Sequence, residues 1–500
     1  MAPSSIWTLA LLAAAATALP TAETQATCAD IKNALPGRLW LPGEAAYTKE
    51  NRDYYNIGLA ELGPACITLP TSAEDVSKIV KILNVRPGVR FAIKSGGHDP
   101  NPGQSSVKDG VLVALRHING TEYDAQKNVA YVKPGGHWSS VIGPLAKKNV
   151  TVVSGRLGVV GIGGYLMQGG NSFLSAQHGL AADSILEWEL VAANGSIITV
   201  NAKRYPDLAR ALRGGGDQFG ICTKFTLQAY PIGPVWSGTK AYAAKDREAV
   251  FEALADFVEN NHKDPKAAII FTSGLGSASL MQFYDGPTPP KGAFGKFENL
   301  KATMDVGKTQ SYADVIGATD GLFNFFSSRT SFRSITLPHL PHDHGYYSRV
   351  DALWSNITAK HLKGRYLVGS TLAFQPFPNS MGKATETKGG NAMGLKGSDH
   401  TRFVIEIAGI YSRKADDDVV QEMSREYTQV LTEQLQGVKA SAKAKGITVG
   451  EYNPMFGNDA GPDQDVMGSY RDVATFRKLQ KQLDPEGLFA KRAGGFKYPE

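Results

Sequence analysis

The pattern of hydrophobic and polar residues changes near residue 233. Before this point, short strand-like runs alternate with helical periodicity and with clusters of glycine. One helix is predicted to begin after Ser72, a helix-capping residue, and to continue through Leu83. The strand-like segments of this part are VLVAL (111–115), NVAYVKPG (128–135), NVTVVSG (149–155), ILEWELVAANGSIITV (185–200) and GICTKFTLQAYPI (220–232). The glycines between them would let the backbone approach a large ligand at several points.

After residue 233 the runs are longer. Helical periodicity is found in DREAVFEALADFVENNH (246–262) and DDDVVQEMSREYTQVLTEQLQ (416–436). Strand-like segments are AAIIFTSGL (267–275), SASLMQFYDG (277–286), RYLVGSTLAFQPFP (365–378) and RFVIEIAGIYS (402–412). Long strands beside long amphipathic helices predict an antiparallel sheet backed by helices, and the fold class is predicted to be α+β. A last helix is predicted over 473–483.

Composition indicates a globular protein of two domains. The 500 residues exceed what one hydrophobic core usually holds. Hydrophobic residues make up 42% and charged residues 20% of the chain, so it is neither disordered nor fibrous. The net charge of +6 is small, and the chain contains no block of lysine and arginine residues. Both observations argue against nucleic acid as a partner. No segment after the N-terminus predicts a membrane span.

The N-terminus and the sequons predict a secreted protein. Residues 1–19 resemble a signal peptide, because the apolar stretch from Ile6 to Leu19 is too short for a bilayer span and small residues follow it. The absence of lysine and arginine before this stretch departs from the usual pattern. Four Asn-X-Ser/Thr sequons predict a glycoprotein, at Asn119, Asn149, Asn194 and Asn356.

The chain has three cysteines. Cys28 and Cys66 both follow the predicted signal peptide, and an exported chain would let them form a disulfide. Cys222 lies inside the strand-like segment 220–232 and is predicted to be a buried free thiol.

Two glycine-rich segments carry the candidate chemistry. KSGGHDPNPG (94–103) places one histidine, His98, directly behind two glycines. GRLGVVGIGGYLMQGG (155–170) is not a dinucleotide-binding fingerprint, because its glycines are too many and no helix clearly follows. No GxxxxGK[ST] phosphate-binding loop is present either. The second segment is therefore interpreted as a ligand loop of another kind.

Four segments, taken in order, resemble the signatures of the PCMH-type FAD-binding domain. They are KSGGHDPNPG, VTVVSGRLGVVGIGGYLMQGG, HGLAADSILEWELVAANGS and YPDLARALRGGGDQFGICTKFTL. Within that family the chain is similar to berberine bridge enzyme-like oxidases, especially secreted fungal ones, and FGNDAGPDQD and LDPEGLF resemble the C-terminal segment of that group. The resemblance implies an FAD-binding domain over 60–232, a substrate domain over 233–449, and a segment 450–500 that returns to the FAD domain.

The resemblance gives His98 a role. In this family the histidine after SGG is bonded to the 8α-methyl group of the flavin ring, and a neutral imidazole nitrogen is a suitable nucleophile for that bond. Some members add a second bond through a cysteine four residues before the GxGG run, which here is Gly161 to Gly164. The matching residue is Leu157, so a single attachment is expected.

The resemblance also implies further FAD contacts along the chain. They are Ser95, Gly96, Gly97, Pro134, Gly135, Gly158, Gly161, Gly163, Gly164, Asp183, Ile185, Gly214, Gly215, Gly216 and Asn458. Tyr165 stands where several relatives carry a histidine beside the flavin, and it is either a hydrogen-bond donor to the flavin or a packing aromatic residue.

Oxidation of a C–H bond by a flavin also requires a base for the proton. Sugar-oxidising relatives carry a tyrosine in a YxN-type motif, and here the motif is Phe456-Gly457-Asn458, which keeps the asparagine but lacks the phenol. Tyr452 is one substitute. Gln375, Glu406 and Tyr411, on two predicted strands of the substrate domain, are the other catalytic candidates together with Tyr165 and Asn458.

A rival site is the segment HLPHDH (339–344), since His339, His342, His344 and Asp343 are suitable metal ligands. The segment is broken by proline, and one short loop rarely supplies a whole coordination sphere. A loop at the rim of the substrate cleft is the favoured interpretation, and no metal is expected.

These observations favour a secreted oxidase with covalent FAD that acts on a small molecule and passes the electrons to O2. The missing tyrosine favours a fungal secondary metabolite as substrate over a sugar, and a secreted carbohydrate or alcohol oxidase is the alternative. A protein that binds FAD without turnover is the alternative of another class, because the sequence identifies no base with certainty.

Overall fold

A computed structural model of the chain describes residues 20–318, 320–323, 328–341 and 343–499. The predicted signal peptide, residues 1–19, lies outside the described residues. Among the described residues, no helix combines the length and the hydrophobicity that crossing a bilayer requires.

The structure contains both strands and helices throughout. The strands are β1 Leu39–Trp40, β2 Cys66–Thr68, β3 Phe91–Lys94, β4 Val111–Ala114, β5 Thr121–Asp124, β6 Val129–Val132, β7 Val150–Thr151, β8 Ile185–Val191, β9 Ile197–Asn201, β10 Ile221–Gln228, β11 Tyr230–Pro231, β12 Val235–Ala243, β13 Ala267–Ser273, β14 Ser277–Tyr284, β15 Met304–Gln310, β16 Arg329–Pro338, β17 Val368–Phe377 and β18 Arg402–Tyr411. The helices are α1 Ala22–Ala34, α2 Ala45–Asn51, α3 Ala73–Asn84, α4 Trp138–Ala146, α5 Ile162–Met167, α6 Ser175–His178, α7 Pro206–Leu212, α8 Arg247–Asn260, α9 Tyr312–Gly317, α10 Asp320–Phe323, α11 Gly345–Leu362, α12 Asn379–Thr387, α13 Asp417–Ala444 and α14 Val473–Leu483.

The strands before residue 233 form three small sheets. The first has the order β1-β2-β4-β3, with β4 parallel to both β2 and β3. The second has the order β5-β6-β10-β8-β9 and is antiparallel, and β11 pairs with β7. The predicted helix over 72–83 is confirmed as α3, whose cap is Ser72: its side chain accepts a hydrogen bond from Asp75 N.

The strands after residue 233 form one antiparallel sheet of order β15-β12-β14-β13-β17-β18-β16. Helices α8, α11 and α13 pack on one face of it through a core that includes Phe271, Trp354, Phe374 and Tyr427. The prediction of an antiparallel sheet backed by helices is confirmed. The opposite face of the sheet is free to form the wall of a binding site.

Two features tie the chain ends to the first sheet. Cys28 of α1 and Cys66 of β2 form a disulfide, as predicted. The guanidinium of Arg492 donates hydrogen bonds to the carbonyls of Leu83 and Val89. The C-terminal segment therefore packs against the sheet that carries the SGGH turn.

Candidate active site

A cavity of about 450 Å³ lies between the glycine-rich segments and the free face of the large sheet. One wall holds the SGGH turn after β3, and the floor holds residues of β13, β17 and β18. The volume lies in the range usual for sites that bind small molecules or cofactors.

A buried ion-pair network fixes the SGGH turn from below. The ammonium of Lys94, the last residue of β3, is fully buried and donates to the backbone carbonyl of Glu50 (2.8 Å) and to its carboxylate (2.7 Å). Arg116 donates to the same carboxylate. Gly97 has φ +66°, and a Cβ there would lie 2.9 Å from the carbonyl oxygen of Asp53. Glycine is therefore required, both for its conformation and for its size. This network was not predicted from the sequence.

Three glycine-rich segments meet at the cavity wall. A Cβ on Gly96 would overlap Gly161 Cα and would lie 2.9 Å from Gly161 N. Ser95 Oγ donates to the carbonyl of Pro134 (2.5 Å) and accepts from Gly163 N (3.0 Å). A helix does begin within the GxGG run, contrary to the expectation from the sequence: α5 starts at Ile162 and is only six residues long.

His98 stands at the end of this wall, with its imidazole stacked on the ring of Tyr55 (centroids 4.1 Å apart). Burial, with a smaller effect from His137, lowers the pKa of His98 to about 4. The imidazole is therefore neutral at physiological pH, which is the form that can act as a nucleophile.

No thiol other than Cys222 is free among the described residues. Leu157 lines the cavity, so an apolar side chain occupies the position that matches the second attachment cysteine. Cys222, predicted to be a buried free thiol, is confirmed as one and also lines the cavity. Burial raises the pKa of its thiol, so this group is inert as a nucleophile.

The predicted FAD contacts divide into two groups. Those that line the cavity are Ser95, Gly96, Gly97, His98, Pro134, Gly161, Gly163, Gly164 and Asn458. Those that lie outside its lining are Gly135, Gly158, Asp183, Ile185, Gly214, Gly215 and Gly216. Among these, the Asp183 carboxylate is bonded to the protein itself: it accepts from Leu180 N (2.8 Å), Thr385 Oγ1 (2.6 Å) and Asn391 Nδ2 (3.0 Å) and so joins two segments of the chain. Gly135 instead allows close packing against the carbonyls of Leu115 and Ile118.

Tyr165 and Asn458 line the cavity, but their polar groups are bonded to backbone. The Tyr165 hydroxyl donates to the carbonyl of Asn171 (2.7 Å). Asn458 accepts from Gly170 N (2.9 Å) and donates to the carbonyl of Tyr165 (3.1 Å). Both side chains therefore hold the loop 165–171 in place, and the packing interpretation of Tyr165 describes its contacts better than that of a donor to the flavin.

The floor of the cavity is formed by alternate residues of three neighbouring strands. They are Ile270 and Thr272 of β13, Thr371, Ala373 and Gln375 of β17, and Glu406, Ala408 and Ile410 of β18. Ala373 pairs with Thr272, and Thr371 pairs with Ala408, so small side chains lie side by side in the middle of the floor, while Glu406 is the other register partner of Ala373. Phe332 of β16, the register partner of Ala408, closes one side.

Tyr411 does not line the cavity, and the expectation that it faces the flavin is wrong. Successive side chains of a strand point to opposite faces, so Tyr411 points away from the face that carries Glu406. It is buried beside Arg329, its register partner, and Asp417.

Four polar side chains meet at one end of the floor. The amide nitrogen of Gln375 donates to Asp459 Oδ2 (2.6 Å), and its amide oxygen accepts from the Arg156 guanidinium. Glu406 faces the cavity and has no hydrogen-bond partner among the described residues. Burial, and then the nearby charge of Asp459, raises the pKa of Glu406 to about 8, although Arg156 opposes the shift. Burial also raises the pKa of Asp459.

Arg156 and Asp459 were missed by the sequence analysis. Arg156 lies in the glycine-rich segment 155–170, and Asp459 directly follows Asn458. Arg156 could have been noticed as the one charged residue of that segment, whereas Asp459 is one of three aspartates in FGNDAGPDQD (456–465) and gave no such signal.

The alternative base, Tyr452, does not line the cavity, whereas Phe456 does. Tyr452 is outside the cavity lining, donates to the carbonyl of Met393 and stacks under the guanidinium of Arg471. Phe456 lines the cavity and packs edge-on against Phe377. The cavity therefore has an apolar ring where sugar-oxidising relatives carry a phenol.

The rival metal site is not assembled in the described part of the chain. His339 Nδ1 lies 2.9 Å from the Tyr347 hydroxyl, and His344 Nε2 lies 3.1 Å from Glu259 Oε2. His342 lies outside the described residues. Among the described residues, no group of three or more His, Cys, Asp or Glu is arranged to hold a metal ion.

The residues of the cavity fit FAD. The Gly96–Gly161 contact keeps side chains out of the wall, so that a long ligand can lie against the backbone. Gln168 Oε1 and Ser105 Oγ are buried, belong to residues that line the cavity, and have no hydrogen-bond partner among the described residues. Buried polar atoms are nearly always paired, and the ribityl and phosphate groups of FAD offer suitable partners.

Comparison with known proteins agrees with this assignment. The family described as FAD binding domain matches residues 64–201. An uncharacterized FAD-linked oxidoreductase of Arthroderma benhamiae is 32% identical over 469 residues, which cover 91% of this chain and 92% of the relative. The FAD-dependent monooxygenase sdcF of Emericella nidulans is 30% identical and covers 94% of this chain and 98% of its own.

Solved structures share the fold. BBE-like 1 of Physcomitrella patens has a TM-score of 0.73 at 19% identity, over 96% of this chain and 99% of its own. The xylooligosaccharide oxidase of Myceliophthora thermophila C1, in complex with xylobiose, has a TM-score of 0.75 at 20% identity, over 95% and 100%. The α+β fold with an FAD-binding part is thereby confirmed. The chain belongs to the FAD-linked oxidoreductases, and its cofactor is FAD.

Proposed function

We propose that this protein is a secreted oxidase that holds FAD covalently through His98, oxidises a flat small molecule and uses O2 as its electron acceptor. The observation that carries the proposal is that a neutral imidazole and an unpaired carboxyl group, His98 and Glu406, line the same cavity. FAD, when bound, supplies the acceptor for the hydride that leaves a C–H bond of the substrate.

The protein's own residues divide the remaining work. The turn Ser95–His98, Pro134 and the GxGG run would hold the cofactor through their backbone, while Tyr165 and Asn458 fix the neighbouring loop 165–171. Glu406 accepts the proton that leaves the substrate, since its carboxyl group is not bonded to another side chain and faces the substrate floor. Gln375 is fixed between Arg156 and Asp459 and orients that end of the cavity.

The floor supports a flat, largely apolar substrate. Thr272, Thr371, Ala373 and Ala408 leave a shallow surface, and Phe332 and Phe456 add aromatic walls. A planar ring gains contact area on such a surface, and the Gln375 amide is already bonded to Arg156 and Asp459 and is not left for the hydroxyl groups of a sugar. A fungal secondary metabolite fits this description, and several relatives named FAD-dependent monooxygenase are fungal proteins of similar length.

Export and domain organisation complete the proposal. The asparagines of all four sequons are exposed, and the Cys28–Cys66 disulfide suits an oxidising compartment. The FAD-binding unit consists of residues 60–232 with the returning segment 450–500, and residues 233–449 form the substrate unit.

Two measurements test the proposal. Purified protein is expected to be yellow and to keep its colour in the pellet after acid precipitation, while His98→Ala releases the flavin into the supernatant. Colour retained in the His98→Ala pellet would show that the attachment lies elsewhere. Anaerobic mixing with planar aromatic alcohols is expected to bleach the flavin, and air is expected to restore the colour with formation of hydrogen peroxide. Bleaching by oligosaccharides alone would contradict the proposed substrate, and bleaching by no compound of either class would favour a binding protein.

A further inference from the structure

The two carboxyl groups at the closed end of the cavity, Glu406 and Asp459, have different surroundings. Gln375 and Glu406 are diagonal neighbours on the same face of adjacent strands, because Gln375 pairs with Val404 and Ala373 pairs with Glu406. Asp459 reaches the same place from the C-terminal segment and is bonded to the Gln375 amide. Both carboxyl groups therefore lie near the amide end of the Gln375 side chain.

The direction of the Gln375 amide follows from Arg156. A guanidinium group only donates hydrogen bonds, so the amide oxygen of Gln375 must face Arg156 and its nitrogen must face Asp459. Asp459 accepts that bond and gains the favourable charge of Arg156. The hydrogen bond from Gln375 stabilises the ionised form of Asp459 relative to that of a neighbouring carboxyl group that lacks such a bond.

Glu406 also feels the charge of Arg156, but it receives no hydrogen bond from a side chain of the described residues. Its strand partners are Ala373 and Ser334, which do not titrate. The titratable or charged groups that act on it are Asp459 and Arg156, and Tyr55 lies near enough to respond to its charge. When two carboxyl groups in one low-dielectric site compete for one proton, the less supported group takes it.

We propose that Asp459, oriented by Gln375, is a positioning residue that keeps Glu406 protonated at neutral pH, so that Glu406 accepts the substrate proton only after the pair has lost a proton to solvent. This inference rests on the proposed role of Glu406 as proton acceptor. It predicts that Glu406 first donates a hydrogen bond to a neutral oxygen of the substrate. The site then selects neutral hydroxyl compounds over carboxylates, because the negative charge of the ionised Asp459 repels an anion.

The test measures protonation directly, without a substrate. Infrared difference spectra of the FAD-loaded enzyme are recorded across pH, and the C=O stretch of a protonated carboxyl group is followed. Asp99, whose pKa is raised by burial to about 7, contributes a similar band. The Glu406 band is therefore identified by its loss in Glu406→Gln. Its midpoint in the unmodified enzyme is expected near pH 8.

Two variants move the midpoint in opposite directions. Asp459→Asn removes a negative charge and is expected to lower it by about 1–2 pH units, and Arg156→Gln removes a positive charge and is expected to raise it. Asp217→Asn is the matched control, since Asp217 lines the same cavity but does not act on Glu406, and it leaves the midpoint unchanged. Flavin content reports whether each variant keeps its fold.

The outcomes separate this inference from the proposed function. A midpoint that stays in place in both variants, or the absence of a protonated Glu406 band at pH 7, overturns the inference even if the enzyme oxidises its substrate. If the midpoint shifts as expected but no compound is oxidised, the inference holds and the proposed activity fails. Once a substrate is known, kcat/KM is expected to rise with pH through the same midpoint and to move with it in Asp459→Asn.

Discussion

Replacement of Gly96 by alanine tests how the FAD site is built. The backbone of Gly96 lies outside the left-handed region, so an alanine meets no conformational penalty there and the change isolates packing. The new Cβ would overlap Gly161 Cα and lie 2.9 Å from Gly161 N and 3.1 Å from His137 Cδ2. Two of these three atoms belong to backbone and cannot rotate away.

The magnitude follows from the cost of overpacking, which is about 1–3 kcal/mol. The strain is relieved when the SGGH turn moves away from α5, and this movement opens the wall of the FAD cavity. A free-energy difference of that size weakens FAD binding about 5- to 150-fold. We therefore expect Gly96→Ala to carry much less flavin than the unmodified protein when both are produced with limiting FAD.

The assay is the ratio of flavin to protein absorbance, measured before and after acid precipitation. Gly143→Ala is the control, because Gly143 lies in α4 of the same part of the chain and a Cβ there has no neighbour within 4 Å. It is expected to keep its flavin. Normal flavin content in Gly96→Ala, with unchanged thermal stability, would refute the idea that contact between these two glycines holds the site together.

Two further predictions concern stability and the substrate floor. Replacement of Cys28 and Cys66 by serine removes a disulfide that closes a loop of 38 residues. The free energy of unfolding, measured by denaturant titration, is expected to fall by about 4 kcal/mol. An unchanged unfolding transition would contradict this prediction. Ala373→Leu raises the middle of the floor and is expected to abolish binding of planar substrates while acid-stable flavin remains at its normal level. Unimpaired binding of a planar substrate by that variant would show that the floor is not the substrate surface.

The local sequence pattern was sufficient to predict much of the fold and the identity of the cofactor. Helix α3 and strands β13, β14, β17 and β18 follow from periodicity within single segments, because each buries one face of its own sequence. The SGGH turn was found because glycine and histidine stand next to each other in the chain. These features need no knowledge of distant residues.

The polar end of the cavity could not be found in this way. Arg156, Gln375 and Asp459 are brought together only by the packing of three separate segments. The error at Tyr411 has a simpler origin, since Glu406 and Tyr411 are five residues apart on one strand and an odd separation puts them on opposite faces. The alternation of side chains along the strand therefore excludes one of these two residues from the cavity, but only the structure shows which face borders the cavity.

The return of the C-terminal segment has a consequence for biosynthesis. Gly495 and Asn458 line the same cavity as His98, and Asn101 donates to the carbonyl of Ala460, which lies 359 positions later in the chain. During translation, the region that matches the FAD binding domain leaves the ribosome long before these residues are synthesised. The cofactor cavity thus remains incomplete on the growing chain, and loading with FAD has to follow synthesis of the segment through residue 495. For the same reason, residues 64–201 cut out alone should not serve as an independent flavin carrier.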